Sequence, residues 1–219
     1  MNKYLAEFLG TYALVFAGTG AIVIDQQTNG SITHVGIAIT FGLIVMSMIY
    51  AFGEISGAHI NPAVTIAFTI AGRFPINKVP LYVFSQLSGA TLASLTLKAL
   101  FPANLLLGAS LPLGSEGQSF LLECLLTFFL MLVIINVSTG SKEQGLFAGL
   151  AIGAVVCLEA MFAGPICGAS MNPARSFGPA LVSRHFSSLW VYILAPITGA
   201  FAAVPVSHIL KPELKRKMP

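Results

Sequence analysis

The tripeptide Asn-Pro-Ala occurs twice in the chain, in SGAHINPAVT at residues 56–65 and in GASMNPARSFGP at residues 168–179. Asparagine is a favoured helix N-cap and proline a favoured first helical residue. Asn61-Pro62 and Asn172-Pro173 therefore each predict the start of a helix. The apolar runs that follow, 62–72 and 173 to about 182, span about 15 Å as helices. This is half of a ~30 Å hydrocarbon core, so the sequence predicts two half-length helices in a membrane.

The composition supports a membrane protein. Of the 219 residues, 56% are hydrophobic and only 9% are charged, whereas a soluble protein carries about 25% charged residues. This excludes a cytosolic enzyme and a disordered protein, and the 11 Lys and Arg are too few for a nucleic-acid binder. The cysteines, Cys124, Cys157 and Cys167, lack metal-ligand spacing. We expect no metal and no cofactor, and no nucleophile–base pair indicates an enzyme.

Six hydrophobic runs are long enough to cross the hydrocarbon core, at residues 4–24, 35–52, 81–100, 119–138, 146–162 and 189–210. An even number of spans puts both termini on one side. Cytoplasmic termini agree with the positive-inside rule, because that side then carries most of the basic residues. The basic residues on the cytoplasmic side are then Lys3, Arg73, Lys78, Lys142, Lys211, Lys215, Arg216 and Lys217. Those on the other side are Lys98, Arg175 and Arg184. The basic tail, 211–219, is expected to anchor to anionic lipid.

The two halves of the chain repeat each other. Glu7 matches Glu123, Asn61 matches Asn172, and Gly89-Ala90 matches Gly199-Ala200, all in the same order. Each copy contains three spans, an odd number, so the copies point in opposite directions through the bilayer. We predict one domain, 1–219, built from inverted repeats at 1–100 and 118–210. Gly89 and Gly199 are expected to allow close helix packing.

Opposed half-helices in an inverted repeat place their N-termini together at the membrane midplane. The glycine-rich segments before them, 56–60 and 164–171, are then extended chain, which is tolerated at that depth only beside water or protein. A single Asn-Pro-Ala is explained by an interfacial helix cap. Two copies at equivalent positions favour an aqueous pore with the Asn61 and Asn172 amides at its centre.

These motifs, together with AEFLGT at residues 6–11 and the matching Glu123, resemble the aquaporin or major intrinsic protein family over nearly the whole chain. The resemblance implies six tilted spanning helices and two re-entrant half-helices. It also implies a homotetramer with one pore in each subunit. The segment 163–176 is similar to the nodulin-like intrinsic branch, which is associated with glycerol, urea and undissociated metalloid acids, and the aquaglyceroporin branch is the alternative. Phe41 differs from the tryptophan that is common in plant members of this branch.

The resemblance also implies a four-residue selectivity filter, which falls on Phe41, Ala160, Ala169 and Arg175. Strict water channels of the family have a histidine where Ala160 stands, so a wider aperture is expected. Arg175 replaces the Val64 of the first repeat. A charge inside a membrane is costly unless it faces water or a partner, which favours a filter role over a headgroup anchor. Phe41, taken alone, is equally compatible with a lipid-facing side chain.

Several further residues are candidates for shaping the pore. Glu7 and Glu123 are expected to accept hydrogen bonds from backbone N–H groups of the re-entrant loops; a proton relay is the alternative. His59 lines the pore or braces its loop, and Cys167 is a possible mercurial site. Glu159 and Glu54 have no repeat partner and no assigned role. The remaining histidines, His34, His185 and His208, are expected at solvated helix ends.

We therefore predict a passive channel for water and small uncharged solutes such as glycerol, urea and undissociated metalloid acids, excluding protons and ions. One alternative is a strictly water-selective channel. A second is an ion-coupled secondary transporter, because inverted repeats also build transporters, and a third is a junction protein with negligible conductance. The short chain with minimal tails favours a prokaryotic inner membrane.

Overall fold

The structure is a computed structural model that describes residues 1–139 and 145–211. Within these ranges every regular element is helical. The elements are α1 (Asn2–Gln27), α2 (Thr33–Ser56), α3 (Pro62–Ile70), α4 (Val79–Leu100), α5 (Glu116–Val137), α6 (Ala148–Cys167), α7 (Pro173–Ser183) and α8 (Leu189–Leu210), with a 3-10 turn at Ile76–Lys78. The predicted class of six long helices and two half-helices is confirmed. Most of the loop at 139–145, with Lys142, and the tail beyond Lys211 lie outside the described residues.

The helices pack as two similar sets of four. In the first set α1 contacts α2 and α4, and in the second set α5 contacts α6 and α8. The central helices α2 and α6 join the sets. Each half-helix also packs against the last helix of the other set, α3 on α8 and α7 on α4. This exchange brings both half-helices to the middle of the bundle.

Two equivalent glycines allow the closest helix contacts, as predicted. A Cβ atom on Gly89 of α4 would overlap the carbonyl oxygen of Phe8 in α1. A Cβ atom on Gly199 of α8 would overlap the carbonyl oxygen of Cys124 in α5 in the same way. Small residues at such crossings let helix backbones pack tightly inside a membrane. The pair therefore sets the distance between the outer helices of each repeat.

Five of the long helices in the described ranges are apolar enough to cross a membrane: α1, α2, α5, α6 and α8. The sixth, α4, has sufficient length, with 22 residues, but carries more polar side chains. Two of them, Gln86 and Ser94, are fully buried. These polar groups therefore face the interior of the bundle and not the lipid.

The helix α6 extends further than the sequence indicated. It was expected to end near residue 162, with extended chain from Gly164, but it continues through Pro165 to Cys167. Proline lacks an N–H, so a helical proline leaves the carbonyl four residues earlier without its helical partner. Here that carbonyl belongs to Met161, and the Nε2 atom of His34 lies 2.7 Å from its oxygen. His34 stands in the first turn of α2, at a helix end as expected, and its imidazole in addition supplies the missing donor.

Both described ends of the chain lie on the same face of the bundle. Near the beginning of α1, the ring of Tyr4 contacts the ring of Tyr82 at the start of α4, with centroids 5.7 Å apart. On that face Arg73, which precedes α4, donates a hydrogen bond to Ser138 at the end of α5, with 3.3 Å between the atoms. Lys211, after α8, donates to the carbonyl oxygen of Asn136 at 3.1 Å. The contacts thus link the start of α1 to the end of α8.

Candidate functional site: a passage between two half-helices

The two half-helices meet at their asparagine caps. Asn61 and Asn172 have extended backbones, and each side-chain oxygen accepts a hydrogen bond from the backbone N–H two residues later, at 2.9 Å from Ala63 and 3.0 Å from Ala174. Pro62 and Pro173 stand at the first helical positions. The caps leave the electropositive N-termini of α3 and α7 pointing towards each other, each carrying roughly half a positive charge.

Each cap also binds the opposite loop. The Nδ2 atom of Asn61 donates to the carbonyl oxygen of Met171 at 2.8 Å, and Nδ2 of Asn172 donates to that of Ile60 at 2.9 Å. An amide nitrogen carries two protons, so one proton of each Nδ2 is used for this contact. The second proton remains for another acceptor. The two asparagines are thus held in a fixed position, each with one N–H still to donate.

The re-entrant segments before the caps are shorter than predicted and have an unusual backbone. Helix α2 ends at Ser56 and α6 at Cys167, each followed by a glycine in the left-handed region, Gly57 with φ 90° and Gly168 with φ 81°. Positive φ values then recur at equivalent non-glycine positions. These are Ala58 and Ile60 in the first segment and Ala169 and Met171 in the second. Such conformations cost free energy and persist only where the surroundings enforce them.

A buried carboxylate holds the first segment in this shape. Glu7 is fully buried, and its two oxygens accept hydrogen bonds from the backbone N–H groups of His59 at 2.9 Å and Ile60 at 2.7 Å. The same carboxylate accepts from the Ser56 hydroxyl and the Gln86 amide, each at 2.7 Å. All four donors thus converge on one side chain of α1.

Glu123 makes the matching contacts in the second repeat. It is also fully buried, and it accepts from the backbone N–H groups of Ser170 at 2.7 Å and Met171 at 2.8 Å. Both acidic residues therefore contact the loops that they were expected to contact. This geometry is what a scaffold requires, since each carboxylate replaces the partners that a strained loop cannot find in its own backbone.

A single cavity connects these parts. Its volume is about 920 Å³. Its lining runs from Glu54 and Arg73 past both asparagine caps to Arg175. We call the cavity the passage and the end at Arg175 the filter end. The filter end is lined by the four residues expected there, namely Phe41, Ala160, Ala169 and Arg175.

The aromatic ring and the cation of the filter end contact each other. The guanidinium carbon of Arg175 lies 5.1 Å from the centre of the Phe41 ring, within cation–π range. Phe41 is 9% exposed and so does not face lipid. A Cβ atom on Gly18 of α1 would overlap this ring. The absence of a side chain at Gly18 is therefore what lets Phe41 occupy its position.

Two residues of the loop between α4 and α5 hold Arg175. Its Nη1 atom donates to the carbonyl oxygen of Gly108 and to the hydroxyl of Ser110, each at 2.8 Å. No sequence signal pointed to these contacts, because that loop showed only a high glycine and proline content. Gly108 has a φ of 71°, which turns its carbonyl in a way that favours glycine. Arg175 is only 2% exposed, so these acceptors replace water around a buried charge.

The hydroxyl of Ser110 continues into a chain of buried hydroxyls. Its Oγ lies 2.8 Å from that of Ser176, which lies 2.6 Å from that of Ser170. Ser170 in turn donates to the carbonyl oxygen of Asn172 at 3.0 Å. The chain therefore links Arg175 at the filter end to the cap of α7. We call Ser110, Ser176 and Ser170 the serine chain.

His59 both lines the passage and packs against its loop, so the two interpretations left open by the sequence hold together. Its imidazole is 8% exposed and borders the passage. The ring packs against Phe68, Phe74 and Tyr82, at centroid distances of 5.0, 4.9 and 5.3 Å. On its other side Nδ1 lies 3.1 Å from the hydroxyl of Thr65. The ring is thus fixed in one orientation.

The predicted candidate Cys167 is not brought to the passage, and neither is Glu159, which had no assigned role. Cys167 is fully buried and its thiol points to the carbonyl oxygen of Ala163, at 3.5 Å. Because α6 continues through Pro165, Cys167 is part of a helix and not of an open segment. Glu159 is 3% exposed and does not line the passage either. Its Oε2 atom has no hydrogen-bond partner in the described part of the chain.

A bundle of six long helices, with two half-helices that meet at their N-termini beside a passage, is the architecture of a membrane channel. The family model described as Major intrinsic protein matches residues 1–206, and the chain belongs to this family. It is therefore an integral multi-pass membrane protein. Membership also confirms that the chain is not an enzyme, because the relatives are named as channels.

Individual relatives agree with this assignment. The chain is 50% identical over 212 residues to Aquaporin NIP1-1 of Zea mays, covering 96% of this chain and 75% of the relative. It is 47% identical over 219 residues to Aquaporin NIP1-2 of Arabidopsis thaliana, covering 96% and 74%. Among solved structures, it resembles the aquaglyceroporin from Plasmodium falciparum with a TM-score of 0.89 and 26% identity, covering 98% of both chains. The resemblance to the nodulin-like intrinsic branch is thereby confirmed.

Proposed function

We propose that the chain is a passive channel for water and small uncharged solutes, and that it excludes protons and ions. The observation that carries this proposal is the pair of crossed hydrogen bonds between Asn61 and the second loop and between Asn172 and the first. They hold two electropositive helix ends at one point of a single passage. A cation at that point is repelled by both dipoles.

The remaining N–H of each cap is available to a molecule in the passage. A water that accepts from both Asn61 and Asn172 has its lone pairs engaged, and so it does not relay a proton along the file. Neutral molecules with an oxygen acceptor bind in the same way. The midplane thus favours neutral solutes and opposes proton transfer.

The filter end sets the range of solutes. Two of its lining residues, Ala160 and Ala169, have small side chains, while Arg175 supplies a fixed charge and hydrogen-bond donors. We propose an aperture that admits glycerol, urea and undissociated metalloid acids as well as water. The names of two kinds of relative, the NIP aquaporins and the aquaglyceroporin, are consistent with this range.

The decisive experiment is a stopped-flow measurement on proteoliposomes with a panel of osmolytes. Shrinkage followed by re-swelling in glycerol or urea supports a solute path, whereas shrinkage alone indicates a strictly water-selective channel. Flux that depends on proton or sodium gradients, or that saturates, supports a coupled transporter instead. Water permeability equal to that of empty liposomes contradicts the channel and favours a junction protein.

We further propose that four subunits assemble, each with its own passage, and that both termini face the cytoplasm. The tetramer rests on family membership, and native mass spectrometry in detergent tests it. The orientation is supported by the basic residues on the face that carries both chain ends, including Lys3, Arg73 and Lys211. Protease protection of a C-terminal tag in oriented vesicles tests it. The two NIP aquaporins compared above are plant proteins and give no support to a prokaryotic inner membrane, which stays a prediction.

A further inference from the structure

The imidazole of His59 has two nitrogens in different surroundings. Nδ1 faces Thr65, with 3.1 Å to the hydroxyl oxygen. The opposite edge of the ring, with Nε2 and Cδ2, lies beside Gly57, 3.2 Å from the point where a Cβ on that glycine would stand, and both residues line the passage. Nε2 makes no hydrogen bond to the residues that the structure describes. Which nitrogen carries the proton therefore decides what the ring offers to a solute.

The hydrogen bonds made by Thr65 and its neighbours determine which nitrogen of His59 carries the proton. The side-chain nitrogen of Gln86 donates to the Thr65 hydroxyl oxygen at 3.0 Å and to Glu7 at 2.7 Å. The contact with the Glu7 carboxylate fixes the amide in this orientation, because a flipped amide would place oxygen against oxygen. Both protons of the Gln86 nitrogen are thus used, one of them on Thr65. The Thr65 oxygen accordingly acts as an acceptor towards Gln86.

The Thr65 hydroxyl has one proton and two further contacts. One is the carbonyl oxygen of Asn61 at 3.1 Å, which only accepts, and the other is Nδ1 of His59. All contacts are satisfied together only if the hydroxyl proton goes to Asn61 and Nδ1 carries its own proton. If the hydroxyl donated to Nδ1, the Thr65 hydroxyl oxygen and the Asn61 carbonyl oxygen would face each other with lone pairs only.

We propose that His59 is held as the Nδ1–H tautomer, and that its bare Nε2 is a specificity-determining acceptor in the passage. Thr65 and Gln86 are then positioning residues, acting through the ring. Elsewhere in the passage Asn61, Asn172 and Arg175 present side-chain donors. An acceptor at His59 complements them for molecules that carry both oxygen acceptors and O–H or N–H donors, such as water, polyols and urea. The transport part of this inference rests on the proposed channel function, whereas the tautomer does not.

The tautomer is measured directly by ¹⁵N NMR of histidine-labelled protein in lipid. The chain has four histidines, and the His59 signal is identified by its loss in His59→Gln. Should that variant not fold, elimination with His34→Gln, His185→Gln and His208→Gln serves the same purpose. We expect a protonated Nδ1 and an unprotonated Nε2 in the wild type at neutral pH. A proton on Nε2 overturns the proposal.

Substitutions within α3 test whether Thr65 positions the proton of His59. Thr65→Val removes the acceptor of Nδ1–H, and we expect the proton to redistribute towards Nε2. Thr65→Ser keeps the hydroxyl and should preserve the wild-type tautomer. Thr69→Val is the matched control, because the Thr69 hydroxyl lies one turn further along α3 and, among the described residues, binds only the carbonyl oxygen of Thr65 within that helix, at 2.9 Å. An unchanged tautomer in Thr65→Val overturns the role of Thr65.

Flux tests the specificity role in the same variants. In Thr65→Val we expect glycerol permeability in proteoliposomes to fall about threefold to tenfold, the factor that the loss of one hydrogen bond gives. Thr65→Ser and Thr69→Val should stay near wild type. Unchanged glycerol permeability alongside a shifted tautomer overturns the acceptor role of Nε2. If the wild type itself carries no glycerol, the proposed solute range fails, and the NMR result still decides the tautomer.

Discussion

The Nη1 atom of Arg175 lies 2.8 Å from the hydroxyl oxygen of Ser110, which joins the one charged residue expected in the filter to a loop far from it in sequence. The same nitrogen also donates to Gly108, while the Nε atom of Arg175 has no partner among the described residues. One side of the guanidinium is thus fixed to the loop. The fixed side sets the position from which the charge acts on the passage.

Ser110→Ala should destabilise the filter end. The change removes one acceptor of Arg175 and interrupts the serine chain at its first member. A hydrogen bond to a charged group contributes about 1.5–3 kcal/mol, so we expect a loss of that order in the free energy of unfolding. Unfolding in detergent, followed by circular dichroism, measures it. Ser187→Ala, on the exposed turn before α8, is the control and should match wild type; equal stability of both variants contradicts the anchoring role.

Arg175→Val should admit ions. The change gives the second half-helix the residue that the first one has, Val64, and removes the fixed positive charge of the filter end. We expect a proton or cation leak in proteoliposomes, detected with a pH-sensitive dye under an imposed gradient. Arg184→Gln also removes one positive charge, but at the C-cap of α7 and away from the residues that line the passage, and it should not leak. Full ion exclusion in Arg175→Val would assign the barrier to the helix dipoles at the midplane alone.

Ala160→His should narrow the aperture selectively. A histidine at this position occupies space that the alanine leaves open and adds a hydrogen-bond donor beside Arg175. We expect glycerol permeability to fall more than water permeability, both measured by stopped-flow light scattering. Ala160→Gly, which does not narrow the filter end, should keep the wild-type ratio. An equal loss of both permeabilities in Ala160→His argues against an aperture set by side-chain size.

The features predicted from sequence are those that local rules determine. Asn61-Pro62 and Asn172-Pro173 start helices because capping depends only on the neighbouring N–H groups, and hydrophobic length located the long helices. The end of α6 was missed because it depends on a distant partner, the imidazole of His34, which supplies the donor that Pro165 lacks. The contacts of Ser110 and Gly108 were missed for the same reason. A loop with no periodic pattern gives no sign of which buried charge it meets.

Gly18→Val should displace the aromatic wall of the filter end. Because a Cβ atom at Gly18 would overlap the ring of Phe41, the ring has to move or α1 and α2 have to separate. Overpacking of this kind costs about 1–3 kcal/mol, and we expect lower thermal stability together with a changed ratio of glycerol to water permeability. A Cβ atom on Gly117 would meet none of the described residues within 4 Å, so Gly117→Val is the control for the same substitution. A wild-type permeability ratio in Gly18→Val would show that Phe41 does not set the aperture.

Glu7→Gln should disrupt the first re-entrant loop without changing the size of the side chain. The carboxylate accepts four hydrogen bonds, and an NH₂ group in place of one oxygen turns two of them into contacts between donors. A buried donor left without an acceptor costs about 1–3 kcal/mol, so two of them lower the free energy of unfolding by about 2–6 kcal/mol. We expect reduced thermal stability and reduced water permeability, because His59 and Ile60 lose the anchor of their backbone N–H groups.

Glu116→Gln is the matched control for this change. Glu116 lies in the exposed first turn of α5 and accepts one hydrogen bond from Trp190 at 3.2 Å, so its replacement should alter neither stability nor permeability beyond the scatter of the wild type. The scaffold role and the proton-relay role of Glu7 predict different results for Glu7→Gln. A scaffold predicts that Glu7→Gln loses stability at neutral pH, where the wild-type side chain is a carboxylate, whereas a relay predicts intact stability with the loss of a proton-dependent flux. Wild-type stability in Glu7→Gln therefore contradicts the scaffold.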